Sequence, residues 1–234
     1  MNILITGASR GIGAAALSLL LKTGHQAVGH STRGGGGLIA GDLTDAAAPR
    51  RIFEEALERL GGRLDVLVNN AGIFENVAHD ASDDDWHATW ARTLTVNLQA
   101  PADLSRLAIQ HFQKRGGGGR IVNVSSRAAW RGDSPQHWHY AASKGALTSM
   151  TKTIARAHAA EGILCFAVAP GFTVSEMTEE YLAGRGGDKI VADIPLGRVA
   201  TTNEVAETIR WLSIDAPASA TGTSIDVNGA SYVR

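Results

Sequence analysis

Thr6-Gly7-Ala8-Ser9-Arg10-Gly11-Ile12-Gly13 is the stretch on which the fold turns. It follows an apolar run, 2–6, that reads as a strand, and it opens an amphipathic stretch, 12–23, that reads as a helix. Gly7 allows a tight strand-to-helix bend, Gly11 lets the backbone approach a pyrophosphate, and Gly13 permits close helix packing. The helix N-terminus then offers free N–H groups and a positive dipole end to an anion. Ser9, Arg10 and Ile12 share this turn and join the three glycines as candidate cofactor-binding residues. The spacing is G-x-x-x-G-x-G rather than the more widespread G-x-G-x-x-G. Standing alone it fits a purely structural glycine turn equally well.

Outward from this loop, short apolar runs alternate with longer amphipathic stretches, the signature of a mostly parallel sheet. The pattern predicts strands at 2–6, 26–30, 37–40, 64–68, 120–124, 163–168 and 224–228. It predicts helices at about 12–23, 46–60, 83–98, 101–115, 140–160 and 203–213. The strands are rich in Val, Ile and Leu, which implies burial on both faces. Ser82 before Asp83, Asp84 and Asp85 reads as a helix N-cap, and Thr201-x-x-Glu204 as a capping box. Glycine clusters at 34–37, 61–62 and 116–119 are too short for domain linkers. The first lies where strands two and three are too close for a crossover helix, so an irregular connection is expected. The expected architecture is α/β: a Rossmann-type, doubly wound, seven-stranded and mostly parallel sheet with helices on both faces. Residues 1–234 form one domain.

Composition narrows the function. Of 234 residues, 44% are hydrophobic and 19% charged, which suits an ordinary globular chain rather than a disordered one. A net charge of −1 gives no general pull towards nucleic acid or anionic membrane. The single Cys165 excludes an internal disulfide and a CxxC metal site, and its apolar setting reads as a buried strand. No run approaches the roughly 18 apolar residues of a membrane span, and the N-terminus has no basic or long apolar leader. The expected location is the cytoplasm.

Further motifs stand beside the glycine loop. Asn69-Asn70-Ala71-Gly72 follows the strand ending at Val68, and Tyr140-Ala141-Ala142-Ser143-Lys144 begins a long helix. Pro170-Gly171 follows another strand. With Asp42-Leu43-Thr44, Asn97, Ile121–Ser126 and Thr221-Gly222 in this order, the chain resembles the short-chain dehydrogenase/reductase family across essentially its whole length. The resemblance points to its compact single-domain branch, similar to 3-oxoacyl-carrier-protein reductases. It implies a nicotinamide dinucleotide as cofactor. Cofactor contacts are then expected from Asn70, Ala71, Gly72, Tyr140, Lys144, Pro170, Gly171 and Thr173, and from Asp42 and Leu43 at the adenine. Asp42 fits a helix-capping role as well.

In dinucleotide folds an acid about 20 residues past the glycine motif grips the ribose 2′-hydroxyl of NAD, whereas Arg accommodates the 2′-phosphate of NADP. Here 25–33 contains no Asp or Glu, and the second strand ends His30-Ser31-Thr32-Arg33. Arg10 and Arg33 are therefore expected to clamp a 2′-phosphate jointly, with Ser31 a further cofactor contact, although Arg33 also fits a solvated loop charge. NADP(H) is the preferred cofactor and NAD(H) the second candidate.

Tyr140 and Lys144 are four apart and share a helix face. A phenol has an ordinary pKa of about 10, and a nearby ammonium lowers it. The resemblance implies Tyr140 as the proton donor or acceptor and Lys144 as its tuner and a ribose ligand. It also implies Asn97 as the holder of a water that relays protons to the lysine. Family members place a substrate-binding serine 13 residues before the tyrosine, and that count lands on Arg127. One extra loop residue moves the assignment to Ser126, with Ser125 as the fallback. His137, Trp138 and Trp130 are expected to wall the substrate pocket, and the glycine-rich 172–194 segment to act as a lid. His137-x-His139 lacks the further ligands of a metal site, so no metal is expected.

These readings describe an NADP(H)-dependent oxidoreductase acting on a small-molecule carbonyl or alcohol. The alternatives are an NAD-dependent dehydrogenase of a sugar, polyol or steroid alcohol, and a non-catalytic dinucleotide sensor. Neither nucleic acid nor membrane is expected as a partner. Leu147, Met150 and Ile154 line one side of the long helix, suited to a subunit contact or to the core. The resemblance implies a homotetramer, with a dimer as the alternative. The tail Asn228-Gly229-Ala230 departs from the usual Asp-Gly-Gly.

Overall fold

In a computed structural model of the chain, residues 1–174 and 191–233 are described. Strands β1 (Asn2–Ile5), β2 (Gln26–Ser31), β3 (Ile39–Ala40), β4 (Val66–Asn69), β5 (Gly119–Val124), β6 (Ile163–Pro170) and β7 (Ser224–Val227) form one sheet. Its order is β3-β2-β1-β4-β5-β6-β7, and every pairing is parallel.

Side-chain alternation along each strand divides the core in two. Ile3, Ile5, Val66, Val68, Val122 and Val124 face one way, against α1 (Gly11–Lys22) and α7 (Thr202–Ile214). Leu4, Leu67, Ile121 and Cys165 face the other, against α2 (Ala48–Arg59), α4 (Ala100–Lys114) and α6 (Trp138–His158). Both faces are thus covered, which is why the strands carry no polar alternation. Further α-helices are α3 (Asp83–Leu94) and the short α5 (Ala128–Arg131). A π-turn at Thr95–Gln99 makes α3 and α4 nearly continuous where two separate helices were expected. No helix among the described residues is long and apolar enough to cross a membrane.

Local expectations hold at several ends. Ser82 Oγ accepts from Asp85 N at 3.1 Å, and the Thr201–Glu204 capping box forms in both directions. The β2–β3 connection is a run of left-handed glycines, Gly34 to Gly37, without a helix. Asp42 does not cap α2, whose N-cap is Ala47. Its carboxylate instead takes Thr44 N at 2.9 Å and Thr44 Oγ1 at 2.8 Å, closing a local turn. Cys165 is buried at 0% exposure, and burial pushes its thiol up to about 12.

Leu147 and Ile154 lie in the interior of the chain, with Met150 packed partly against the core. Packing within the chain therefore accounts for the apolar stripe of α6. The outward face of that helix is Ser149, Lys152, Thr153 and Arg156.

Candidate active site

The sheet order reverses between β1 and β4, and the crevice at their carboxyl ends is where ligands enter open α/β sheets. A cleft of about 620 Å³ opens there. Thr6 and Asn70 build its floor. Thr6 Oγ1 accepts from Asn70 N (3.1 Å) and Ala71 N (3.0 Å), while Asn70 Nδ2 donates to the Thr6 and Gly7 carbonyls at 2.9 and 3.0 Å. Asn70 thus clamps the glycine loop to the end of β4 as well as lining the cleft.

The glycines fit a ligand that needs close backbone approach. A Cβ on Gly7, whose φ is +66°, would lie 2.8 Å from Ala71 Cα. A Cβ on Gly13 would overlap the Gly7 carbonyl and the Asn70 amide. Arg10 occupies the N-cap of α1 without a side-chain cap bond, and no acid lies in the first turn. The helix therefore presents its first N–H groups and positive dipole end to the cleft. This donor set fits the pyrophosphate of a dinucleotide.

Thirteen of the residues singled out in sequence line this cleft: the loop from Gly7 through Ser9, Arg10, Gly11, Ile12 and Gly13, then Ser31, Asp42, Leu43, Asn70, Ala71, Gly72 and Thr173. Five others lie off its lining. Arg33 is exposed on a turn held by Gly34 N donating to Ser31 Oγ at 3.0 Å. Pro170 and Gly171 end β6, where Gly171 N donates to Val227 O at 3.0 Å. Tyr140 and Lys144 stand behind the Gly72 end.

Seven lining residues stood outside the candidate set, among them His30, Glu75 and Arg92. His30 is buried, with Nε2 donating to Gly41 O at 2.8 Å and Nδ1 accepting from Gly7 N at 3.4 Å in the tautomer that satisfies both. Burial lowers its pKa, so it stays neutral. At the opposite end Arg92 Nη2 pairs with Glu75 Oε2 at 2.7 Å. A histidine in place of the acid ending β2 was a readable signal; the Glu75–Arg92 pair, 17 residues apart, was not.

Beyond Gly72 the reactive side chains converge. The Ser126 hydroxyl lies near enough to the Tyr140 phenol to favour its ionised form, and its Oγ accepts from Ala128 N at 3.1 Å. Ser125 points elsewhere: its Oγ donates to Lys144 O at 3.1 Å and meets Thr148 Oγ1 at 2.8 Å inside the core. Alignment on the strand end rather than on the count of 13 thus reaches the serine beside the tyrosine. Burial pushes the Tyr140 phenol up to about 12, and the Ser126 hydroxyl opposes this in part. Lys144 does not lower it here. Its Nζ donates to Val124 O at 2.8 Å and lies 5.8 Å from the Tyr140 ring centre. Burial also brings the ammonium itself down to about 8. Gly72, which lines the cleft, lies beside it: a Cβ there would sit 3.4 Å from both Lys144 Nζ and Asn97 Oδ1.

Asn97 is fully buried. Its Oδ1 accepts from Ile73 N at 2.8 Å, and its Nδ2 donates to Ile73 O at 2.9 Å and to Ser143 Oγ at 3.3 Å. The side chain fixes the cleft-lining turn rather than standing open to a water.

The aromatic wall differs from expectation. Phe74, 41% exposed, stacks on His137 with centroids 3.7 Å apart and meets the Tyr140 ring edge-on at 4.7 Å. Trp138 is half exposed and packs against Trp86 of α3. Of the expected lid, 175–190 lie outside the described residues, including Gly184, Gly186 and Gly187.

The Lys144 charge has a stability consequence. Its folded pKa, about 8, lies below the unfolded value of about 10.4. The penalty for burying the ammonium is therefore full below pH 8 and fades as pH rises through 8 to about 10.4. Lys144→Met should stabilise the chain at pH 7 by up to about 3 kcal/mol, less the lost bond to Val124 O. The gain should shrink by pH 10. Urea melts at both pH values check this, and an equal gain at each would contradict a buried charge.

Comparison with known proteins agrees with this geometry. The family described as enoyl-(acyl carrier protein) reductase matches residues 7–230. The 3-oxoacyl-[acyl-carrier-protein] reductase FabG of Escherichia coli is 32% identical over 98% of this chain and 96% of its own length. The corresponding reductase of Synechocystis is 35% identical over 97% and 94%, and that of Vibrio harveyi 31% over 98% and 96%. The chain belongs to the short-chain dehydrogenase/reductase family. It is a nicotinamide-dependent oxidoreductase acting on C=O or CH–OH groups.

Proposed function

We propose that residues 1–234 act as one dinucleotide-binding catalytic domain that reduces a carbonyl compound with NADPH, reversibly, in the cytoplasm and as a homotetramer or dimer. The observation that carries the reaction is the Ser126–Tyr140 hydroxyl pair one helical turn from Lys144, behind the wall of the cleft. The matching names disagree on the bond reduced, a C=C for the family description and a C=O for the relatives. Two neighbouring hydroxyls suit an oxygen, which favours the carbonyl.

The nicotinamide supplies the hydride when bound. Ser126 holds the substrate oxygen by a hydrogen bond. Tyr140 stays protonated at neutral pH and gives its proton to that oxygen as it takes on alkoxide character, a far stronger base than phenolate. Lys144, brought to about 8, still carries most of its charge at pH 7, one helical turn along from the tyrosine. Asn97 positions the 70–73 turn.

Selection of NADPH is assigned to Arg10 and Arg33, with Ser31 and Thr32 between them and no acid at the end of β2. Removing both charges, Arg10→Ala with Arg33→Ala, should lower the NADPH-over-NADH ratio of kcat/KM about 10- to 100-fold, as loss of charge-assisted bonds does. An unchanged ratio would place the 2′-phosphate elsewhere. The reading as a whole is tested by NADPH consumption over a β-ketoacyl thioester, a diketone and an aromatic aldehyde. NADPH binding with no turnover of any carbonyl, or of alcohols with NADP⁺, would make the chain a dinucleotide sensor.

A further inference from the structure

Arg127 directly follows Ser126, yet it is only 9% exposed. Its main-chain N–H donates to Pro170 O at 3.0 Å, tying the end of β5 to the end of β6. Its guanidinium carbon lies 4.7 Å from the centre of the Phe172 ring. A guanidinium has five N–H donors. Among the described residues, those of Arg127 find no acceptor, and its Nη1 is wholly enclosed without one.

Its carboxylate neighbour does not repair this. Asp193 Oδ2 lies 4.0 Å from Nη1, outside hydrogen-bonding range, and the same oxygen already takes Arg131 Nη1 at 3.0 Å. Asp193 is more than half exposed. Asp133 adds a weaker, more distant attraction and Arg131 a repulsion, while burial works against the charged form throughout. Buried arginines are ordinarily paired and hydrogen-bonded, because an unmatched buried cation costs several kcal/mol. Packing against Phe172 alone needs no cation there; a methionine would fill the space. The unmet donors call for an acceptor that arrives with the substrate.

We infer that Arg127 is a substrate-recognition residue that binds a carboxylate, so that the preferred substrates are short keto acids rather than neutral ketones. This rests on the carbonyl chemistry proposed above. Arg127 is the chain neighbour of Ser126, and its guanidinium lies at the β6 end against Phe172. Ser126 and Tyr140 hold the keto oxygen, and the carboxylate meets the planar guanidinium in the bidentate geometry that suits it. Asp193 keeps its bond to Arg131.

The test compares 3-oxobutanoate with its ethyl ester at saturating NADPH. The wild-type chain should show the higher kcat/KM on the acid. In Arg127→Met the acid-to-ester ratio should fall about 10- to 100-fold, mostly through KM, and Arg127→Lys should restore part of it. Because the readout is a ratio, general damage to Ser126 or to folding cancels. Turnover of the ester with a ratio indifferent to Arg127 overturns the inference and leaves the reductase reading standing. If neither compound turns over, calorimetry with malonate on the NADPH-loaded chain decides instead. Malonate binding lost in Arg127→Met sustains the site, and binding that is absent or unaffected overturns it.

Discussion

Tyr140→Phe should abolish most carbonyl reduction, lowering kcat about 10²- to 10⁴-fold, with NADPH affinity changed by no more than a few-fold. The substitution removes one hydroxyl and keeps the ring, so the edge contact with Phe74 at 4.7 Å survives and the pocket keeps its shape. What disappears is the proton donor beside Ser126. The size of the effect follows from the alternative available to the developing alkoxide. Ser126 can still hydrogen-bond it, yet a serine hydroxyl is a much poorer acid than a phenol. Burial that holds the phenol near 12 also keeps bulk water from substituting cheaply as the acid. Stopped-flow measurement of NADPH oxidation with a carbonyl that the wild type reduces, beside fluorescence titration of NADPH, separates chemistry from binding. A variant retaining a tenth of the wild-type kcat would remove Tyr140 from the proton-transfer step.

Gly13→Ala is the second large effect. One methyl group is added where its carbon would overlap the Gly7 carbonyl and sit 2.5 Å from Asn70 Nδ2. Neither neighbour can yield cheaply. The Gly7 carbonyl already accepts from Asn70 at 3.0 Å, and Asn70 also holds Thr6 O at 2.9 Å. Helix α1 must back away from the loop, which turns its first N–H groups off the ligand. Overpacking of this kind costs about 1–3 kcal/mol of stability. Displacing the helix end should weaken NADPH binding by about 100-fold, equivalent to roughly 3 kcal/mol. The same methyl at Gly11 meets nothing within 4 Å, although φ of +58° makes it a strained position. Titration of both variants with NADPH, beside their melting temperatures, resolves steric from conformational loss; a Gly13→Ala chain that binds like the wild type would refute the cradle.

The sheet, its helices and most of the cleft lining were legible because each rests on local chemistry. Val, Ile and Leu runs such as 64–68 and 120–124 can be buried on both faces in only a few ways, and the glycine loop announces its own geometry. The Ser82 and Thr201 caps were equally local. What escaped reading depends on contacts across the chain. His30 joins the cofactor loop to Gly41 through both ring nitrogens, and Phe74 meets His137 from 63 residues away. Composition carries no trace of either pairing. Lys144 was expected to tune Tyr140 from spacing alone. The same spacing also lets the ammonium reach Val124 O, and that bond is the one formed. Trp138 adjoins His137 in sequence, but consecutive helical residues diverge by about 100°, which carries Trp138 to the Trp86 side.

Strand β3 contributes only two residues, so that margin of the sheet shows little unpaired main chain. A second chain seeking to extend the sheet there would gain two residues of ladder and then meet left-handed glycines that cannot continue it. The opposite margin, β7, is four residues long and half-buried throughout. Growth into cross-β stacks therefore finds little template on the β3 flank, and among the described residues β7 is the longer of the two sheet margins.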